Sequence, residues 1–239
     1  MVRPYRRAAH TALPFALAVL GCKPDFRPAD LPEPPSPPAA DAVASATDRG
    51  PGDVPRVRPP DGVDVVLGLV DPAKLRTSID RLAGFGTRHT LSDTVSEVRG
   101  IGAARRWIEA ELRAAAVDRG GAPKLEVAFD SHRIAPDGKR IDRDVDVVNV
   151  VATLPGTRPE AMQRRIYVVA HYDSRASDPM DSTSDAPGAN DDGSGVALVL
   201  ELARVLAPRS LDATVVFMAT AGEEQGLVGA RAHAKAARA

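Results

Sequence analysis

Two near-continuous apolar runs, Ile166–Ala170 (IYVVA) and Thr214–Ala219 (TVVFMA), most constrain what this chain can fold into. Runs this short and this rich in β-branched residues are strands, and a strand without polar alternation is expected to be covered on both faces. Between them Val196, Val199, Leu202, Ala203 and Leu206 recur at helical spacing. Strand, helix and strand in that order predict a right-handed crossover joining two parallel neighbours, hence a three-layer α/β domain with a mixed, mostly parallel sheet.

The preceding stretch supplies the remaining elements. Asp71 followed by Pro72 reads as an N-cap and first helical residue, with Leu75, Ile79 and Leu82 on one face and Gly84 as the stop. A second helix is predicted from about Gly102 to Val117, striped by Ala104, Ile108, Leu112 and Ala115, flanked by Trp107 and stopped by Gly120 and Gly121. Leu125, Val127 and Phe129 then alternate with polar residues, a turn follows at Pro136, Asp137 and Gly138, and Asp144–Thr153 is rich in valine. These two segments read as paired strands.

The first 62 residues are of another kind. Arg3, Arg6 and Arg7 precede an apolar run that ends at Gly21 and Cys22, the layout of a secretory signal. The run is too short to span a bilayer, and Pro14 interrupts it. Val19–Cys22 (VLGC) resembles the lipobox of bacterial lipoproteins, so residues 1–22 are expected to direct export, with Cys22 as a lipid anchor that holds the protein in the cell envelope. Without that lipid, secretion is the alternative. Residues 24–60 hold 11 of the 21 prolines and almost no large apolar side chains, so 23–62 is expected to be a spacer unable to bury enough surface to order itself. One domain over 63–239 accounts for the rest.

Charge and cysteine content narrow the function. Lys plus Arg total 31 against 32 for Asp plus Glu, which leaves no positive field to hold a nucleic acid. A single cysteine excludes both an internal disulfide and a thiolate metal cage, so any metal must be held by imidazole and carboxylate.

Such residues fall into three clusters: His171, Tyr172 and Asp173 after one predicted strand, Gly222, Glu223 and Glu224 after the other, and Asn190, Asp191 and Asp192 before the intervening helix. Ligands of open α/β sheets collect beyond the carboxyl ends of the strands, and all three clusters are expected at that edge. Each alone has an ordinary explanation as a capping pair, a turn or a solvated loop. Together they supply the ligand types of a catalytic zinc. A calcium loop running from Asn190 to Glu201 matches in spacing but lacks the preceding helix that it requires, because Pro179, Pro187 and Gly188 lie there.

With these residues in view, NVVATLPG (149–156), VVAHYDS (168–174), GANDDGSG (188–195) and GEEQGLVG (222–229), together with FGTRHTLSD (85–93), resemble metallopeptidase family twenty-eight. That family includes bacterial leucyl aminopeptidases and glutamate carboxypeptidases, and the resemblance implies a zinc-exopeptidase fold. It implies two zinc ions, with His171 a ligand of one, Asp191 bridging both and Glu224 a ligand of the other. It further implies Asp173 as the carboxylate orienting His171, Glu223 as general base toward a hydroxide bridging the metals, and a cis peptide between Asp191 and Asp192. The implied reaction is hydrolysis of a peptide or small amino-acid conjugate, as an aminopeptidase.

The family uses a further Asp and His downstream of the glutamate pair. Only 15 residues follow Glu224, with no acidic residue and one histidine, His233, set among alanines and basic residues and read as exposed. His89 and His132 are read as structural or solvent-facing. The ending, ARAHAKAARA, breaks off inside a helical pattern, so the domain is expected to be incomplete at its C-terminus and a sheet edge to lie uncovered. Two alternatives stay open: a single-zinc aminoacyltransferase of the glutaminyl cyclase type, and a non-catalytic envelope module.

Overall fold

The computed structural model describes residues 62–116 and 124–238. The leader, Cys22, the proline-rich spacer and the glycines at 120 and 121 lie outside the described residues.

Helix α1 (Gly62–Leu67) leads to α2 (Pro72–Ala83), whose N-cap is Asp71: its carboxylate accepts the N–H groups of Ala73 and Lys74 at 2.9 and 3.3 Å. Those donors have no partner inside the helix, and the cap satisfies them. Helix α3 (Gly100–Ala116) buries Ala104, Ile108 and Leu112 completely along the predicted stripe, while Trp107 packs half-buried beside it. Removing Ile108 or Leu112 from water contributes roughly 1.5–3 kcal/mol each.

Strands β1 (Glu126–Ile134) and β2 (Val145–Leu154) pair antiparallel from Glu126 opposite Thr153 to Ile134 opposite Val145. Strand β3 (Arg165–His171) and strand β4 (Thr214–Thr220) pair parallel, joined by helix α4 (Ser194–Leu206). The sheet order is β1-β2-β4-β3. The expected mixed sheet is present, but its parallel part is one pairing of three, because β2 runs antiparallel to β4.

Val150, Ala152, Val215, Phe217 and Ala219 meet α3 and α4 on one face of the sheet. Helix α5 (Val228–Ala236) lies on the other face, where Asn149 Nδ2 donates to Gly229 O at 3.1 Å. The close approach there requires glycine, since a Cβ on Gly229 would collide with Ala221 O and Asn149 Oδ1.

Strand β4 is buried at all seven positions, as its composition predicts. Strand β3 is not: Ile166 and Val169 are about half exposed, at 51% and 48%. An apolar run reports covering on both faces only for a strand with neighbours on both sides, and β3, like β1, is an edge strand of this sheet. His233 also departs from its expected exposure. Its Nδ1 lies 2.9 Å from Asp130 Oδ2 and its Nε2 lies 3.2 Å from Tyr167 Oη, so it ties α5 to β1 and β3.

Candidate metal centre

Because β3 and β4 run parallel, their carboxyl ends reach the same edge, and His171 sits directly opposite Thr220. The residues after each strand therefore start from neighbouring points. Gly222, at a φ of 73°, turns the chain into Glu223 and Glu224. The third cluster arrives through Gly188, whose φ of 45° and 2.6 Å clearance between a built Cβ and Asp191 O leave little room for a side chain. A short π-type turn (Ala189–Gly193) follows, and within it the Asp191–Asp192 peptide is cis.

Asp173 is the buried hub, with no exposed surface. Its Oδ1 accepts the Glu223 N–H at 3.2 Å, and its Oδ2 accepts the Glu224 N–H at 3.0 Å. Thr90 Oγ1 donates to Oδ2 at 3.4 Å. Oδ1 also lies 3.5 Å from His171 Nδ1, which is 3.1 Å from the Asp173 carbonyl oxygen. A carbonyl only accepts, so Nδ1 carries the proton and Nε2 is the nitrogen turned toward the carboxylates. Asp191 Oδ1 is 3.0 Å from Nε2 and Glu223 Oε2 is 3.9 Å away.

The electrostatics of this edge favour a cation. Burial opposes charge on His171, yet the Asp173 hydrogen bond and the carboxylates of Asp173, Glu223 and Asp192 raise its pKa to about 9. An imidazole and carboxylates are also the donors that zinc takes. The fit is partial, since among the described residues no three His, Cys, Asp or Glu side chains are drawn together as an enclosing set. His171 and Asp191 meet, and Glu223 stands close. The carboxylate of Glu224 instead receives Arg175 Nε at 2.7 Å.

Two residues with no role assigned from the sequence prove to build this edge. Asp192 accepts the His171 N–H through Oδ2 at 3.2 Å and the Gly195 N–H through Oδ1 at 2.9 Å, joining β3 to the start of α4. Arg88 is completely buried. Its guanidinium donates to the carbonyls of Tyr172, Leu82, Pro187 and Gly188 at 2.7, 2.9, 2.6 and 3.0 Å, which fixes the end of β3 and the entry to the acidic turn. Burial pushes its pKa down to about 10, against the nearby charges of Asp173 and Asp192. Both residues stand within motifs visible in the sequence, FGTRHTLSD and GANDDGSG, but His171, the partner of Asp192, is 21 positions away, and Tyr172, Pro187 and Gly188, partners of Arg88, are 84 to 100 positions away.

His89 and His132 take structural places. His89 is buried, with Nδ1 accepting the Leu91 N–H at 3.0 Å and Nε2 donating to Pro179 O at 2.9 Å. His132 Nε2 lies 2.9 Å from Asp130 Oδ1. Glu201, the last position of the rejected calcium loop, is engaged by Asp71 N–H and Arg204 instead.

Residues 149–239 match the model of Peptidase family M28. A probable zinc metalloprotease of Pyricularia oryzae is 51% identical over 180 residues, covering 74% of this chain and 35% of that protein. Another probable zinc metalloprotease, from Pyrenophora teres f. teres, is 46% identical over 174 residues, covering 72% of this chain and 37% of its own length. The chain thus spans little more than a third of these curated relatives. Among solved structures, the Legionella pneumophila LapA aminopeptidase aligns with a TM-score of 0.51 at 21% identity, over 76% of this chain and 43% of that one. An aminopeptidase from Aneurinibacillus sp. strain AM-1 aligns with a TM-score of 0.51 at 15% identity, over 72% of this chain and 67% of that one. At these identities the likeness is one of fold.

Proposed function

This chain belongs to peptidase family M28, and from that membership we propose that it is the metal-binding part of a zinc-dependent aminopeptidase. His171, Asp191 and Glu224 would hold the metal, Glu223 would carry protons and Asp173 would orient His171. The observation that carries the reading is the imidazole of His171, held at Nδ1 by Asp173 with Nε2 3.0 Å from Asp191 Oδ1.

Zinc held at this edge would supply Lewis acidity toward a scissile carbonyl and lower the pKa of a water there. The remaining work falls to the chain. Asp173 keeps one proton of His171 on Nδ1, so that Nε2 is the nitrogen that, below about pH 9, must give up its proton to offer a lone pair to a metal. Asp191 has one oxygen beside His171 while its side chain is 77% exposed, so its second oxygen is free to serve another ion. The reading therefore allows two ions sharing Asp191. Glu223, tethered through its backbone to Asp173 and 36% exposed, can accept the proton of an attacking water at Oε2 and return it to the departing amine.

The test pairs metal content with turnover of an aminoacyl p-nitroanilide. Glu223→Gln is expected to keep its zinc and lose about 10²-fold or more in rate. Glu224→Ala is expected to lose metal. A Gln variant of normal activity ends the assignment of the base, and conversion of an N-terminal glutaminyl peptide to its cyclised form without cleavage would move the chain to the cyclase reading.

A further inference from the structure

The carboxylate of Glu224 is already matched by a permanent cation. Arg175 Nε donates to Oε2 at 2.7 Å, with the glutamate side chain only 14% exposed. A second arginine, Arg140, donates from Nη1 to the Glu224 carbonyl at 2.7 Å, so the backbone of this residue is also held. Asp191, by contrast, is 77% exposed and meets only the edge of an imidazole. A guanidinium stays charged throughout the working pH range, so the Arg175–Glu224 pair yields only to another cation.

Position makes the competition intramolecular. Arg175 lies four residues beyond His171 on the segment that leaves β3. A metal ion approaching Glu224 meets a rival that cannot diffuse away. The rival also has somewhere to go, because Arg175 Nη1 is 3.4 Å from the carbonyl oxygens of both Ala176 and Ser177. A guanidinium displaced from Glu224 keeps acceptors within its own loop.

We infer that Arg175 is an internal competitor for the metal at Glu224, so that this chain takes up zinc in two unequal steps, first at His171 and Asp191 and then at Glu224. The inference rests on Glu224 being a metal ligand, as proposed above. Arg175 is a positioning residue here, since it acts through Glu224.

Calorimetric titration of the full metal-stripped chain with zinc chloride tests it. R175Q is expected to tighten the second step roughly five- to tenfold, the order expected when a close, partly shielded ion pair no longer has to be broken. It is expected to leave the first step within about twofold. R175K, which keeps the charge but loses the planar fork, is expected to fall between. E224Q weakens the second step, and R175Q added to E224Q brings no gain. An unchanged isotherm for R175Q beside a weakened one for E224Q overturns the inference and leaves the ligand reading intact. The same gain from R175Q with and without Glu224 also overturns it, since the effect would then be general repulsion. An E224Q isotherm equal to that of the parent chain removes the ligand reading itself. Circular dichroism of each variant confirms that the titrated protein is folded.

Discussion

Asp173 Oδ2 accepts the backbone N–H of Glu224 at 3.0 Å, a contact that spans 51 positions of sequence. With the matching bond from the Glu223 N–H to Oδ1, one buried carboxylate sets the spacing between the histidine after β3 and the glutamates after β4.

Asp173→Asn is therefore expected to loosen both sides at once. A carboxamide keeps one acceptor oxygen and places an NH2 group against an N–H that needs an acceptor, at a site with no access to water. Zinc affinity should fall about 10- to 100-fold, and stability should drop by about 1–3 kcal/mol. Zinc titration and urea unfolding read the two effects separately. Zinc binding at the level of the parent chain would show that His171 does not need this partner.

Arg88→Met is expected to be among the more damaging single changes. It leaves the carbonyls of Leu82, Tyr172, Pro187 and Gly188 without the donors that now serve them, inside a completely buried pocket. A loss of about 3 kcal/mol or more is expected in urea unfolding. Arg88→Lys should recover only part of it, because an ammonium has three donors and no planar fork. A methionine variant as stable as the parent chain would mean that the carbonyls find other donors.

The link between α5 and the sheet should weaken in acid. Burial alone would raise the pKa of Asp130, but hydrogen bonds with Asn149, His132 and His233, together with the charge of His132, bring it below the usual carboxylate value. A carboxylate whose folded pKa is depressed contributes stability above its unfolded pKa of about 4 and loses that contribution as pH falls through the lower folded value. Urea midpoints of the parent chain and of Asp130→Asn should therefore differ at pH 7 and converge below about pH 4. A gap between them that is constant across that range would exclude this linkage.

How much of this was legible beforehand depends on the range of the physics involved. The α2 cap is an i to i+2 and i+3 contact, the α3 stripe follows one helical period, and the fully buried β4 follows from a continuous apolar run. All three are properties of short windows. The convergence of His171, Asp191 and Glu223 was also foreseeable, because parallel neighbours put their carboxyl ends at one edge. An uncovered sheet edge was expected, but not that β3 would form one, since its composition is that of an interior strand and only its rank in the sheet makes it an edge. His233 was misread for a related reason. Alanine, lysine and arginine around it describe a solvated helix, while its partners Asp130 and Tyr167 are 103 and 66 residues away.

The order of residues alone determined the element types, the α/β class and the supply of imidazole and carboxylates at the strand ends, because hydrophobic period and capping act over a few residues. Only the tertiary structure decided which side chains meet: Arg88 under the acidic turn, Asp173 between two loops, and Arg175 on the carboxylate of Glu224. Those contacts depend on distances between segments 49 to 100 positions apart, which strand order and packing set and no local pattern encodes.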